Sequence, residues 1–441
     1  MKIRKLTPCE FARALKLGHG RSFLHVVEFG DEGIDKEIED ALLHCYAYDR
    51  QIEGTRSNWT FNLAAATGRL RYYEERTREN LNEGEFTAND LAVQIQIIWQ
   101  FFESGFPALR KEVFSKHQQL TEIAPYLTDR GTYVIDLAGQ FGLDCVARTI
   151  GQASSNIDDF DCAYIYDHAK DVLDETKIVE HLQSLSSHDE AIARFLEACA
   201  RHKAAMDAKP EPRPPQPPLD EILQKVERKE HAPTGLGYSR YGRKFSNEEV
   251  QKVFELLEET TDPWKQLAYL RMFAHRPLPD ITTRILNLLD ATDDFIARVA
   301  AKVLSQSQSH LVREAALRLL SSEDENKIAA GFDLIEKNYQ PGDEDLIRLA
   351  LANLSNDDRK HDAGISIQAL AETHKTDEML EFLLWTYENG PDSYCRHKVL
   401  EELLRRKQCP PDLLYEAQWD CFEDTQYLAR AVVTGEEFNS L

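Results

Sequence analysis

A run of short amphipathic segments from about residue 246 onward constrains the fold of this 441-residue chain most strongly. In residues 293–304 the apolar side chains recur three and four positions apart, which places them on one face of a helix. Residues 309–320 repeat this spacing. A helix of this length cannot bury its apolar face alone, so neighbouring helices must stack on one another. We therefore expect an all-α fold, specifically an α-solenoid of antiparallel helix pairs.

The N-terminal half shows the same helical spacing over about residues 5–205. Glycines and prolines interrupt the pattern at intervals that suit helical hairpins. Residues 22–29 have some strand character, but a single strand would have no partner nearby, so we predict a helix there.

A proline-rich segment at residues 210–218 marks the clearest boundary, because six of its nine residues are proline. Such a run cannot continue a helix and favours an extended spacer. We expect irregular helical hairpins over residues 1–208, a linker over residues 209–245, and a repeat array over residues 246–441.

The net charge limits the choice of partner. The chain has 76 acidic and 52 basic residues, which gives a formal charge of −24. This negative surface repels phosphate backbones and anionic membranes, so we expect no membrane binding and consider nucleic acid disfavoured. A protein partner with a basic surface fits better, although solubility alone also explains an acidic composition.

The cysteines give no indication of a metal centre. Eight are scattered along the chain without any CxxC pair, and Cys395 lies close in sequence to one histidine, His397. Adjacent His44 and Cys45 cannot easily reach one ion from a helix. We predict no metal and no cofactor. The basic N-terminus lacks an apolar secretion segment, so we expect free thiols and a cytoplasmic protein.

Two of the amphipathic segments carry a family resemblance. The sequences DDFIARVAAKVL (293–304) and SHLVREAALRLL (309–320) resemble the consensus of HEAT-type, armadillo-like helical repeats. The resemblance extends over residues 262–405, with departures in residues 325–338, which lack the arginine, and in residues 361–372.

The resemblance implies a structural role for particular side chains. In HEAT-type repeats an arginine of the second helix bonds the acidic turn of its repeat, so Arg298 is expected to pair with Asp293 or Asp294, and Arg313 occupies the equivalent position. Residues 18–30 and 48–59 are also similar to bacterial HEAT-repeat proteins, a likeness that implies no activity. Most proteins of this type are binding scaffolds.

A polar cluster at residues 48–59 is the first candidate for a binding site. If this segment is a turn between helices, its charged side chains and an indole converge on one side and make a ligand or partner site. The alternative is a structural turn in which arginine pairs with acid and the indole fills the core. The candidate residues are Asp49, Arg50, Glu53, Arg56 and Trp59.

A basic segment at residues 235–245 is the second candidate. It contains three glycines and no acidic residue, so it is locally positive within an acidic chain. Arginine and tyrosine together can hold a phosphate or stack on a base. The alternative is a flexible connector whose cations pair with acidic neighbours. The candidate residues are Tyr238, Arg240, Tyr241, Arg243 and Lys244.

No standard catalytic motif occurs in the sequence, so we predict no catalytic residue. The leading expectation is a non-enzymatic scaffold or adaptor that binds another protein on the concave face of the superhelix. The alternative is a nucleic-acid-binding or nucleic-acid-processing module that uses the basic segment 240–244. A third hypothesis is a small-molecule enzyme or sensor whose site is formed by Asp49, Glu53 and Arg56.

Overall fold

The computed structural model describes residues 4–124, 127, 130–153, 158–208, 216–230, 232 and 237–435. Within these ranges the chain forms α-helices and short 3-10 helices, and no strand. The all-α prediction is therefore confirmed. Most of the proline-rich segment, and Gly235 of the basic segment, lie outside the described residues.

The chain divides into two compact units. The first contains the described residues up to 208 together with those from 410 onward, and the second contains the described residues between 216 and 409. The N-terminal part of the first unit consists of α1 (Pro8–Leu17), α2 (Gly20–Phe29), α3 (Asp35–Ala41), α4 (Arg50–Glu53), α5 (Ser57–Ala66), α6 (Leu70–Asn80), α7 (Ala88–Glu103), α8 (Glu112–Ile123), α9 (Gly131–Ala138), α10 (Gln140–Gln152), α11 (Asp159–Val172), α12 (Glu175–Ser186) and α13 (Glu190–Asp207).

Helix α7 lies in the core of the first unit, where it packs against α5, α8 and α9. It begins at a capping box, in which the Thr87 side chain accepts from the Asp90 backbone and the Asp90 carboxylate accepts from that of Thr87. Asp90 also accepts a 2.8 Å hydrogen bond from the Cys45 amide. Leu91, Ile95 and Ile98 are buried along the helix. The cap and the apolar face together fix the helix that carries one wall of the site below.

In the second unit, alternate helices pack side by side: α15 on α17, α17 on α19, α19 on α21, α21 on α23, and α23 on α25. The helices are α14 (Leu219–Glu227), α15 (Gly237–Gly242), α16 (Asn247–Glu259), α17 (Pro263–Met272), α18 (Thr283–Asn287), α19 (Asp294–Leu304), α20 (His310–Leu320), α21 (Glu325–Ile335), α22 (Glu344–Ala352), α23 (Asp357–Thr373), α24 (Asp377–Asn389) and α25 (Ser393–Arg405).

The last two helices, α26 (Pro411–Ala417) and α27 (Glu423–Thr434), belong to the first unit, whereas the sequence places residues 246–441 in one array. The reason is a close approach of backbones. The Cys421 amide donates to the Gly18 carbonyl at 2.9 Å, and a Cβ on Gly20 would lie 2.1 Å from the Glu416 carbonyl oxygen. Any side chain larger than a hydrogen atom at Gly20 would therefore push α2 away from α26.

The basic segment is not an open loop in its described part. Gly237–Gly242 forms α15, and Tyr238 is only 1% exposed because its ring packs edge-on against Trp264 at 6.0 Å. Arg240 and Lys244 remain exposed. The sequence analysis did not predict this helix, because its sequence is rich in glycine. Packing against α17 stabilises it instead.

Arg298 and Arg313 make contacts other than the one that the HEAT resemblance implies. The Asp293 side chain caps α19 by accepting from the Phe295 and Ile296 amides, while the Arg298 guanidinium lies 5.3 Å from the centre of the Phe295 ring. Arg313 instead bonds forward, donating to Asp343 just before α22 at 2.6 Å. Asp294 is the first residue of α19.

No helix in the described part of the chain is both long enough and apolar enough to cross a bilayer.

Candidate functional site

A cleft in the first unit has a volume of about 870 Å³. Its walls come from α2, from α4, α5 and the turn between them, from α7 and α9, and from α27 with the turn that precedes it. The lining residues are Phe23, Ile52, Glu53, Gly54, Thr55, Arg56, Ser57, Asn58, Trp59, Asn62, Gln96, Trp99, Gln100, Tyr133, Trp419, Cys421, Phe422, Glu423, Asp424, Gln426, Tyr427 and Arg430.

Aromatic rings make up two faces of this cleft. On one face the Trp59 indole donates to the Trp419 carbonyl at 2.9 Å, and Phe23 stacks on the Trp419 ring at 5.2 Å. On another, Trp99 and Tyr133 lie with their ring centres 5.4 Å apart. Trp99 and Trp419 are partly exposed, so their rings offer apolar area to a ligand.

A buried ion pair between Glu53 and Arg56 lies in the wall. Arg56 Nε donates to Glu53 Oε2 at 2.7 Å, its Nη2 donates to the same oxygen, and its Nη1 donates to the Lys16 carbonyl at 2.9 Å. Glu53 Oε1 accepts from the backbone amides of Tyr48 and Asp49. Each charge is thus neutralised by its partner, and the pair shapes the turn between α4 and α5.

The backbone of Arg56 has φ of 58°, in the left-handed region that residues other than glycine seldom adopt. Strain of this kind persists only where the surroundings hold the residue in place, and it is common at binding sites. Here the Glu53 pair and the Lys16 carbonyl supply that restraint.

Carboxamide side chains form the polar part of the cleft. Gln96 Nε2 donates to the Tyr133 hydroxyl at 2.6 Å, and Gln96 Oε1 accepts from Thr55. Gln100 Nε2 donates to Asn58 Oδ1 at 3.2 Å. Asn58 and Asn62 are exposed. An amide group both donates and accepts, so this surface can pair with other amides.

The rim of the cleft on α27 is polar and acidic. Glu423 and Asp424 are exposed there, and Tyr427 is 66% exposed. Arg430 donates to the Gln418 carbonyl at 2.9 Å. Two carboxylates beside aromatic rings favour a cationic group of a ligand.

The sequence-predicted cluster is only partly assembled here. Glu53, Arg56 and Trp59 line the cleft, whereas Asp49 accepts from the Gln51 amide as the cap of α4, and neither Asp49 nor Arg50 belongs to the lining. The ion pair of this turn is thus a structural contact that also lies in the wall of the cleft. The sequence analysis missed the lining residues of α7, of α27 and of the turn before α27, because no local spacing connects Trp419 with Trp59.

The described part of the basic segment, which is the second candidate site, lies in the second unit near a cleft of about 410 Å³. Its lining contains four cationic side chains against two carboxylates, and Arg243 Nη2 lies 2.8 Å from Nε2 of the lining residue His275. Arg240, Tyr241 and Lys244 are not among the lining residues. The charged lining residues are Arg271, Arg298, Lys302, Arg359, Asp333 and Asp362.

Burial raises the pKa of Asp333 in this second cleft to about 6, with Asp362 and Glu336 adding to the effect, while Lys302 and Arg359 act against it. Arg359 donates to Asp362 at 2.6 Å. The cleft thus keeps a net cationic character that increases when Asp333 is protonated.

One group in the described residues has donor atoms close enough to hold a metal ion: His361, Asp392 and Cys395. The sequence associates Cys395 with His397, but that histidine lies 3.4 Å from Glu401 on the same helix. The thiol meets His361, from a helix 34 residues earlier in the chain.

Comparison with known proteins found no family model, no curated protein and no solved structure that matches this chain.

Proposed function

We propose that this chain is a non-enzymatic scaffold or adaptor that holds a short segment of another protein in the cleft of the first unit. The single observation that carries the proposal is the combination of partly exposed indoles with exposed carboxamides on one open surface. Tryptophan and tyrosine dominate the binding energy of protein interfaces, and amide side chains match the donors and acceptors of a peptide backbone.

The charges of the cleft favour a basic segment. The internal pairing of Glu53 with Arg56 leaves the acidic rim residues Glu423 and Asp424 as the exposed carboxylates of the lining. A lysine or arginine of the partner would meet these carboxylates and the Tyr427 ring together. The −24 charge of the whole chain would increase the rate of encounter with such a partner.

We further propose that the second unit is a HEAT-type, armadillo-like solenoid. The packing of every second helix from α15 to α25 on the next supports this arrangement, because stacked helix pairs produce such contacts. The resemblance of residues 293–304 and 309–320 to the HEAT consensus supports the same proposal.

A displayed library of random peptides, selected on the whole chain, tests the cleft. We expect the enriched peptides to contain lysine or arginine. The Tyr427→Ala variant should weaken binding of an enriched peptide about tenfold, as measured by fluorescence anisotropy. Tyr164, which is 49% exposed on α11 of the same unit, supplies the matched control variant Tyr164→Ala.

Failure to enrich any peptide from a folded sample contradicts the proposal. Equal effects of the two tyrosine variants also contradict it, because the cleft would then contribute nothing specific. Because the volume also falls within the range of small-ligand sites, a cleft that accepts only small molecules would support the sensor interpretation instead.

Nucleic-acid binding is the second candidate, and the cationic lining of the second cleft favours it. Anisotropy of labelled single-stranded DNA and RNA at about 50 mM salt tests this function, because phosphate contacts are strongest at low salt. Arg298→Gln should weaken binding, while Lys337→Gln, at an exposed position outside the lining, should not. Absence of salt-dependent binding would exclude the candidate.

A further inference from the structure

Three potential metal ligands converge between α23 and the start of α25 in the second unit. Cys395 Sγ lies 3.5 Å from His361 Nε2, and Asp392 Oδ2 lies 3.3 Å from the same nitrogen. All three donor atoms lie within 4.8 Å of one another. Asp392 is nearly buried, with 4% of its side chain exposed, and the histidine is 21% exposed.

The local fold explains why these groups face one another. Asp392 caps α25, and one of its carboxylate oxygens, Oδ1, accepts from the Tyr394 amide at 2.9 Å. The other oxygen is thereby directed towards His361. Cys395 follows three residues later, which places its side chain beside the cap in the first turn of the same helix.

The arrangement differs from a nucleophile–base–acid triad. In such a triad the histidine uses one nitrogen for the nucleophile and the other for the acid. Here the same nitrogen, Nε2, faces both the thiol and the carboxylate. Three donor atoms around a common point are typical of a chelate.

The distances match those around a tetrahedral zinc ion. With bonds of about 2.0 Å to nitrogen and oxygen and about 2.3 Å to sulfur, tetrahedral ligand atoms lie about 3.3–3.6 Å apart. The observed nitrogen–oxygen and nitrogen–sulfur separations are 3.3 and 3.5 Å. We propose that His361, Asp392 and Cys395 bind one Zn²⁺ ion and leave its fourth position open.

Such an ion would join α23 to α25 across the intervening α24. A thiolate and an imidazole are the ligands that select zinc over magnesium or calcium. Because folding positions the three groups, binding would stabilise the second unit and raise the temperature at which it unfolds.

Titration of the metal-stripped full chain with Zn²⁺ against a chromophoric chelator tests the proposal. We expect about one ion per chain, and Cys395→Ser should weaken binding by at least about 100-fold. Cys409→Ser, at a second partly buried cysteine of the same unit, is the matched control. Asp392→Asn keeps a capping side chain and should also weaken binding.

Co²⁺ provides a spectroscopic measurement of thiolate ligation that does not depend on the stability of the variants. Co²⁺ bound to the wild-type chain should show thiolate-to-metal charge-transfer absorption, which Cys395→Ser should abolish and Cys409→Ser should retain. If the wild-type chain takes up no stoichiometric Zn²⁺, or if the two cysteine variants bind it equally, the proposal is wrong, and the three groups form only an ion pair with a neighbouring thiol.

Discussion

Arg56 and Glu53 form an ion pair with almost no exposure to solvent, their side chains being 2% and 1% accessible. Removing one charge from a buried pair leaves the other without compensation, which costs about 3–5 kcal/mol. We therefore expect Glu53→Gln to lower the free energy of unfolding of the first unit by this amount, measured by urea unfolding followed through tryptophan fluorescence.

The control is an exposed pair of the same unit, Arg194 with Glu190. Because solvent screens such a pair, Glu190→Gln should cost less than about 1 kcal/mol. Similar losses for the two glutamine variants would show that the Glu53 pair is not buried as described.

Gly242 allows α15 to contact α17. A Cβ at this position would lie 1.7 Å from the Met272 carbonyl oxygen, whereas a Cβ on Gly237 at the start of the same helix would have nothing within 4 Å. We expect Gly242→Ala to destabilise the second unit by about 1–3 kcal/mol or more, because backbone atoms must move apart. Gly237→Ala should be neutral in the same thermal unfolding measurement, and a neutral Gly242→Ala would contradict the packing of α15.

Asp333 should make the stability of the second unit depend on pH. Its pKa is raised from 3.8 to about 6 by burial, so the folded state favours the protonated form. The stabilisation of the folded state by protonated Asp333 is fully present below about pH 4 and is lost as the pH rises through about 6. Asp333→Asn should therefore be more stable than the wild type at about pH 8 and similar at about pH 4, by urea midpoints. Parallel profiles of the two proteins would refute this.

Lys407 follows α25 with φ of 60°, and the Gln408 amide donates to the Leu403 carbonyl at 3.0 Å. Glycine adopts this backbone conformation without steric cost at the end of a helix. We expect Lys407→Gly to raise the free energy of unfolding by about 0.5–1 kcal/mol, while Lys407→Ala, which retains the strain, should not. Equal stabilities of the two variants would contradict the left-handed conformation.

The local sequence pattern predicted the helices well where the apolar spacing is regular. The amphipathic segment 293–304 contains the helix Asp294–Leu304, and the segment 309–320 contains His310–Leu320. Thr283–Asn287 is a much shorter helix that continues into a 3-10 turn at Leu288–Asp290. Helix ends depend on tertiary contacts that propensity does not contain.

The candidate sites were predicted less completely, for the same reason. Residues 48–59 showed a concentration of charge and an indole, and three of the named residues line the cleft. Their partner Trp419 lies 360 residues away from Trp59, and Cys395 meets a histidine on another helix. The apolar face of a helix produces a periodic pattern in the sequence. A contact between distant segments produces no such pattern, so a single sequence does not predict it.

Because α26 and α27 complete a unit whose other helices precede the second unit in the chain, the second unit is synthesised before one wall of the cleft exists. A nascent chain that has just completed α25 carries a first unit whose Trp59 face is still uncovered. The cleft therefore forms late in translation, and chains halted before Trp419 would lack one of its walls.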